Sequence, residues 1–260
     1  MENNLNKPFV IDDENVAQYA DSIAEWIAVQ VKTANRKGVL LGMSGGIDCS
    51  VVACLCHRAV VDVYLVMMPY GSDMKNTSSY QHAMELIEKF DFKYSVFDIQ
   101  PAADAIAVGD EAMLEGVTDA NRALSLANIR PRVRMTYLYQ LAQLGSRFVI
   151  GTGNMAERTV GYFTKWGDGA SDLNPLGMLT KQEVYTLARY LGVPDSIVDK
   201  KPSAGLWEGQ TDEDELGMSY AQIDAFILEG SSGDTSIDDL IRSRMAMSAH
   251  KFATVPIYNV

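Results

Sequence analysis

Cysteine is scarce in this 260-residue chain, and the three present, Cys49, Cys54 and Cys56, fall within eight residues of one another. No second cluster exists to complete a disulfide framework or a structural zinc site. Basic residues are also few. The 22 lysines and arginines face 34 aspartates and glutamates, for a net charge of −12, and no basic run is longer than a pair such as Lys200-Lys201. A surface that tracks the phosphates of a long polyanion needs Lys/Arg clusters, so nucleic acid is excluded as the expected partner. Long apolar runs are missing as well. Val63 to Pro69 falls far short of the roughly 18 residues of a membrane helix. Met1 to Phe9 has neither a basic n-region nor an apolar h-region, so no secretory leader is expected and the expected location is cytoplasmic. With no repeat, low-complexity tract or Pro/Gly-rich linker, a single domain over residues 1–260 is expected.

What is present is a folded pattern, 47% hydrophobic and 22% charged. Val16 to Ala34 carries Ile23, Trp26, Ile27, Val29 and Val31 at helical rather than strand spacing. Gly38 to Gly42 is a short apolar strand followed by a Gly-rich turn and the helical segment Val51 to Cys56. Val60 to Met68 is almost wholly apolar, as a strand covered on both faces should be. Thr77 to Phe90 predicts a helix and Lys93 to Ile99 a strand. Asn121 to Leu144 predicts a long helix that Pro131 kinks or restarts. Arg147 to Gly151 is a further strand, and Thr180 caps a helix over Lys181 to Leu191 closed by Gly192 and Pro194. Helices around Tyr220 to Leu228 and Asp234 to Ala249 complete the chain, with the acidic Glu208 to Glu215 expected as a mobile loop.

Alternating strands and helices predict an α/β fold, a doubly wound parallel sheet with helices on both faces and ligands beyond the carboxyl ends of the strands. The segment Ser44-Gly45-Gly46-Ile47-Asp48-Cys49-Ser50 lies at such an end, between the first strand and the first helix after it. Backbone N–H groups and the helix dipole there favour an anion, the glycines allow close approach, and Ser44 and Ser50 add hydroxyls. Asp48 repels a phosphate unless a cation intervenes, and magnesium resolves that conflict. The segment matches neither G-x-x-x-x-G-K-[ST] nor G-x-G-x-x-G, which argues against P-loop NTPases and Rossmann dehydrogenases.

The loop resembles the SGGxDS loop of the ATP pyrophosphatase superfamily, with Cys49 where the family has serine and Ser50 one position later. Further motifs follow in the order found in the NAD synthetase family, over about Gly38 to Lys251. Asn128 to Met135 resembles its N-x-x-x-R-x-R-M helix, Gly151 to Glu157 its G-T-x-x-x-x-E segment, and Gly161 to Gly169 its G-F-F-T-K-x-G-D-G loop. Asn174-Pro175-Leu176, Thr180-Lys181, Lys201-Pro202-Ser203-Ala204 and His250-Lys251 supply the remaining landmarks. The resemblance implies an adenine nucleotide α-hydrolase-like fold and an ammonia-dependent ligase that converts deamido-NAD to NAD through an adenylate, releasing pyrophosphate and AMP.

By resemblance, ATP meets Gly42, Ser44, Gly45, Gly46, Asp48, Cys49, Ser50, Thr152, Lys181 and Ser203, and Mg2+ sits on Asp48 and Glu157. Deamido-NAD meets Arg132, Lys165, Asp172, His250 and Lys251, and Asp168 joins Asp48 and Lys181 as a reaction-site group that orients or deprotonates ammonium. A homodimer whose contacts include Asn121 to Leu144 is implied, and the roughly 37 residues before the first strand leave no room for an amidase (glutaminase) domain. Arg130, Arg132 and Arg134, spaced by two, cannot all face one site. His57 and His82 are read as helix residues without catalytic duty. Gly71 to Thr77 and Lys200 to Asp214 are candidate lids. Two other functions stay open at this point, a different ATP pyrophosphatase and a nucleotide sensor of the same fold without chemistry.

Overall fold

A computed structural model describes residues 7, 9–71, 77–107, 116–200 and 211–258. Its described strands form one parallel sheet in the order β3-β2-β1-β4, from β1 (Gly38–Gly42), β2 (Asp62–Met67), β3 (Lys93–Val96) and β4 (Arg147–Val149). The strands alternate their side chains between two helical layers, as the period of two requires. Val39, Leu41, Val63, Leu65 and Met67 enter one core; Leu40, Val66, Met68 and Val149 enter the other.

The first layer comprises α1 (Val16–Thr33), α2 (Ile47–Arg58) and α7 (Lys181–Leu191). Helix α1 offers the stripe Ala20, Ala24, Ile27 and Val31, while α2 is buried on nearly every side from Ile47 to Cys56. The uniform apolarity of α2 thus reflects its place between sheet and helices. Cys54 and Cys56 are packed there as small hydrophobes, and burial pushes the Cys54 thiol up to about 12. The opposite layer is α4 (Gln100–Ile106) and α5 (Asp119–Gly145). A third cluster joins α6 (Met155–Val160), α10 (Tyr220–Glu229) and α11 (Thr235–Ser248) around Val160, Ile223 and Ile241. No described helix is long and apolar enough to cross a membrane.

Several expectations need correction. The strand expected from Val60 begins at Asp62, because Val60 is 91% exposed in a left-handed turn with φ 55°. The strand expected to reach Ile99 stops at Val96, and α4 follows, started by Pro101 in its first turn and by Asp98, whose carboxylate accepts the Gln100 N–H. Helix α5 is not restarted at Pro131. It runs unbroken for 27 residues, because Ile129, Val133, Tyr137 and Leu141 pack on the sheet and outweigh the one backbone hydrogen bond the proline removes. The acidic loop is helical in part: α9 (Asp212–Leu216) has Thr211 as its cap and Asp212 buried. Helices α6 and α8 (Asp195–Val198) were too short to register as periodic patterns. The candidate lid residues 72–76 and 201–210 lie outside the described residues.

The start of the chain braces α7. Lys7 forms a buried ion pair with Glu183, which also accepts the Ile11 N–H at 2.7 Å and completes a capping box with Thr180. Removing one partner of such a pair strands the other. Lys7→Met is expected to lower stability by on the order of 3 kcal/mol, read from the urea midpoint, and Lys7→Met/Glu183→Gln to recover part of that loss.

Candidate active site

The sheet order reverses between β1 and β4, and the candidate residues gather beyond the carboxyl ends of β1, β2 and β4. Gly42 closes β1, where a Cβ would stand 3.3 Å from Met68 Cε. In the loop that follows, Gly45 holds φ +77°, and a Cβ there would lie 1.9 Å from the Ser79 carbonyl oxygen of α3 (Ser78–Phe90). Only glycine lets this turn and the first turn of α3 come together. Ser44 Oγ accepts the Gly46 N–H at 3.3 Å and lies 3.2 Å from Cys49 Sγ. Cys49 keeps the geometry of a hydroxyl residue, donating to the Gly46 carbonyl at 3.1 Å. Ser50 is turned inward and fully buried, with its hydroxyl on the Gly46 carbonyl at 2.7 Å, so it is not among the groups open to a ligand.

Asp48 stands in the first turn of α2 and meets two groups at once. Its Oδ2 accepts from Lys181 Nζ at 2.6 Å and its Oδ1 from Asn154 Nδ2 at 2.9 Å. Lys181 is 2% exposed, and its ammonium lies 4.8 Å from the centre of the Tyr220 ring. Burial alone would lower the Lys181 pKa, but Asp48 and Glu157 together hold it above the ordinary lysine value. Glu157 is held in place by the capping box of α6, in which Asn154 Oδ1 accepts the Glu157 N–H and Glu157 Oε2 accepts the Asn154 N–H. Desolvation, then the nearby Asp48 charge, pushes the Glu157 carboxyl well above the usual range, against the pull of Lys181. Asp48 and Glu157, two carboxylates whose charges oppose each other, are the residues that would hold a magnesium ion, a hard cation that takes oxygen ligands. Thr152 lies just past β4 on the same rim.

A second group assembles on the loop between α6 and Leu173, the bridge partner of Ile150. Lys165 Nζ donates to the His250 carbonyl at 2.6 Å, and Lys251 Nζ to the carbonyls of Gly161 and Phe163 at 2.7 and 2.6 Å. Arg132 reaches the same loop through the Lys165 carbonyl at 3.4 Å. Asp168 accepts the Thr164 N–H at 2.9 Å; although open to solvent on one side, its carboxyl is raised by the protein crowded around it, against Thr164 and Lys251. Trp166 stands between Lys165 and Gly167 at φ 62°, a left-handed conformation unusual for a large side chain, and is 57% exposed. Asp172 sits apart: its carboxylate accepts the Val149 N–H at 2.8 Å and completes the edge of β4. Ser203 lies outside the described residues.

The sequence did not single out Asn154, Tyr220 or Asp212, and Arg134 entered only as one of three arginines that cannot all face one site. Asn154 was legible in principle as the start of an N-x-x-E capping box. Arg134 donates to the Met68 carbonyl at 2.9 Å, and burial lowers its pKa to about 10. Tyr220 donates to Asp212 at 3.0 Å, a contact between residues that no spacing rule connects.

A family model described as NAD synthase matches residues 19–256. The chain belongs to the NAD synthase family. It is 40% identical over 238 residues to the NH(3)-dependent NAD(+) synthetase of Carboxydothermus hydrogenoformans, covering 91% of this chain and 95% of that one. Among solved structures, the NMN synthetase from Francisella tularensis is 37% identical with a TM-score of 0.85, over 94% of this chain and 99% of that one. The NH3-dependent NAD synthetase from Campylobacter jejuni, in complex with nitrate, is 31% identical with a TM-score of 0.75, over 96% and 100%. The fold of this NAD synthase family member is thereby that of its relatives, and the parallel sheet with two helical layers stands as expected.

Gly45 makes the loop geometry testable. Gly45→Ala is expected to weaken ATP binding at least about tenfold by calorimetry, because both the positive φ and the Ser79 contact must be given up. Unchanged affinity would mean that the turn is not part of the nucleotide site.

Proposed function

We propose that this enzyme amidates deamido-NAD to NAD with ATP and ammonia, and that the two side-chain groups described above divide the two half-reactions. The observation that carries this is the Asp48–Lys181–Glu157 cluster at the N-terminus of α2, beside the Ser44–Cys49 turn. In the first half-reaction the nicotinate carboxylate oxygen attacks the α-phosphorus of ATP, and the bond to the β-phosphate breaks to release pyrophosphate. Negative charge builds on the phosphates, and the N–H groups of the Gly45–Cys49 turn, the α2 dipole and Lys181 are the groups suited to stabilise it. Asp48 and Glu157 would hold Mg2+, which supplies charge neutralisation and Lewis-acid polarisation of the phosphoryl oxygens when bound. Ser44, Gly45, Gly46, Thr152 and Gly42 would form the rest of the ATP wall, to which Cys49, its thiol buried on the Gly46 carbonyl, would add its backbone N–H, with Ser203 assigned by resemblance alone.

In the second half-reaction ammonia attacks the adenylate carbonyl, AMP leaves with the bonding electron pair, and the attacking nitrogen loses a proton. Asp168 is the group we assign to orient ammonium and accept that proton. Its raised pKa supports the role, since a base closer to neutrality loses less of its driving force. Arg132, Lys165, His250 and Lys251 would hold the anionic dinucleotide, and Asp172 would serve by fixing the β4 edge beside it. The cluster of metal ligands and lysine favours chemistry over a sensor that only binds nucleotide. A homodimer through α5 is supported by its exposed Leu124 and Leu126 and by an apolar groove of about 480 Å3 lined by Phe97, Ile106, Ile129 and Val133. A single catalytic domain in the cytoplasm is part of the same proposal, supported by three cysteines packed in the core as small hydrophobes.

One observation favours a second reading. The Francisella neighbour, an NMN synthetase, superposes better than the Campylobacter NAD synthetase, which points to amidation of the mononucleotide acid rather than the dinucleotide. Assays with ATP, Mg2+ and either deamido-NAD or nicotinate mononucleotide separate the two. The dinucleotide reading expects a higher kcat/KM for deamido-NAD, with ammonium and not glutamine as nitrogen source; a preference for the mononucleotide overturns it.

Two variants test the division of labour. Asp168→Asn is expected to cut amide formation about 10²- to 10⁴-fold while pyrophosphate release persists. Because the Asp168 pKa lies above the ordinary carboxylate value, wild-type turnover should fall as pH drops through that raised pKa, and the variant should lack this acidic limb. Lys181→Met is expected to slow pyrophosphate release itself, by about 10²-fold or more.

A further inference from the structure

Helices α2 and α3 begin at the same place. The N-caps are Gly46 and Thr77, and the Ser79 carbonyl presses on Gly45 so closely that no side chain fits there. Lys200, which follows α8, sends its ammonium into this junction and donates to Ser79 Oγ at 2.7 Å. Its charge reaches Cys49 on α2 and His82 on α3. His82 Nδ1 is buried without a hydrogen-bond partner among the described residues. Glu85, whose charge acts on His82, is engaged by Ser196.

No carboxylate pairs with Lys200 among the described residues, in a chain with 34 acids and 22 bases. A half-buried ammonium without a counter-charge among the described residues, between two helix N-termini, is placed for an anion that arrives with a ligand. Successive helix residues point about 100° apart. Asp48 and Cys49 therefore face different sides of α2, Asp48 towards Lys181 and Asn154, Cys49 towards Ser44 and the Lys200 side. The two lysines flank one phosphate-binding turn.

We propose that Lys200 binds the β- and γ-phosphates of ATP and retains pyrophosphate after cleavage, a role separate from that of Lys181 at the reacting phosphate. The proposal rests on the ATP-cleaving reading above. During the first half-reaction the leaving pyrophosphate gains the electron pair of the broken P–O bond, and Lys200 meets that charge at the far end of the group. The groups assigned to the dinucleotide, Arg132, Lys165, His250 and Lys251, make their contacts around the Gly161–Lys165 loop and not with Lys200 or Ser79, so on this proposal the loss of Lys200 should act on ATP and pyrophosphate alone.

Calorimetric titration of the full-length wild type, Lys200→Ala and Lys200→Arg with ATP, AMP and inorganic pyrophosphate tests this directly, with steady-state amidation run in parallel. Lys200→Ala should weaken ATP and pyrophosphate binding about tenfold or more, leave AMP binding within about twofold, raise the KM for ATP and not for deamido-NAD, and Lys200→Arg should recover much of the loss. Unchanged ATP and pyrophosphate affinity overturns the proposal. So does equal weakening of AMP with a lowered Tm, which would mark Lys200 as a structural brace of α3. Lys200-dependent pyrophosphate binding in a wild type that amidates neither acid would instead sink the reaction assigned above and leave this site standing.

Discussion

The contact between Lys181 and Asp48 is the constraint around which the site is built. A lysine with almost no exposed surface stays charged only if opposite charge is supplied on the spot, and Asp48 and Glu157 supply it. Each partner comes from a different helix start: Asp48 from α2, Glu157 from α6, Lys181 from α7. The ion pair therefore ties three helix N-termini together, while at α7 the N–H groups of Lys181 and Gln182 are taken by Asp224 and at α6 that of Glu157 by Asn154. Without Lys181, the two carboxylates would repel each other there; without them, the lysine would be driven neutral. The cluster is thus unstable in its parts and stable as a set, which suits the nucleotide and magnesium roles proposed for it.

Around that contact the protein spends many polar groups on holding backbone. Asp224 accepts the N–H groups of Lys181 and Gln182 at 3.1 and 2.9 Å, Glu183 and Thr180 close the capping box, and Lys7 neutralises Glu183 from the chain start. These contacts fix where α7 begins and hence where the Lys181 ammonium points. Asp172 acts likewise at the edge of β4, and Arg134 at the end of β2. Buried polar networks of this kind rigidify when every member is satisfied.

How much of this was legible depended on whether the signal was local. The parallel sheet was readable because Gly38–Gly42 and Asp62–Met67 are apolar runs that only a doubly covered strand explains. Thr180 and Gly192 marked α7 because caps are written in adjacent residues. Pro131 misled, since its cost is local while the packing that carries α5 through it is contributed by the sheet. The anion turn and its aspartate were visible in Ser44–Ser50, yet the inward direction of Ser50 was not, because sequence does not say which side of a helix faces the ligand. The Lys7–Glu183 and Lys181–Tyr220 contacts join residues far apart in the chain, and no spacing rule could bring them together.

The two halves of the site are joined by one short element. Helix α6 starts at the Asn154–Glu157 capping box beside Asp48 and ends at Gly161, whose carbonyl accepts from Lys251 at 2.7 Å. Six residues at 1.5 Å each separate its ends by about 9 Å. Gly161 permits no other side chain, because a Cβ there would stand 2.1 Å from Ser248 Cβ of α11. The C-terminal residues 248–251 thus press on the far end of the same helix whose near end carries Glu157. A ligand that orders Lys165, His250 and Lys251 would act on α6 from one end, and one that engages Asp48 and Glu157 would act from the other. Because the helix is rigid and packed in the Val160–Ile223–Ile241 cluster, a shift at either end must be met by the whole element. On the site assignment proposed above, the two substrates would share that element although no side chain needs to touch both.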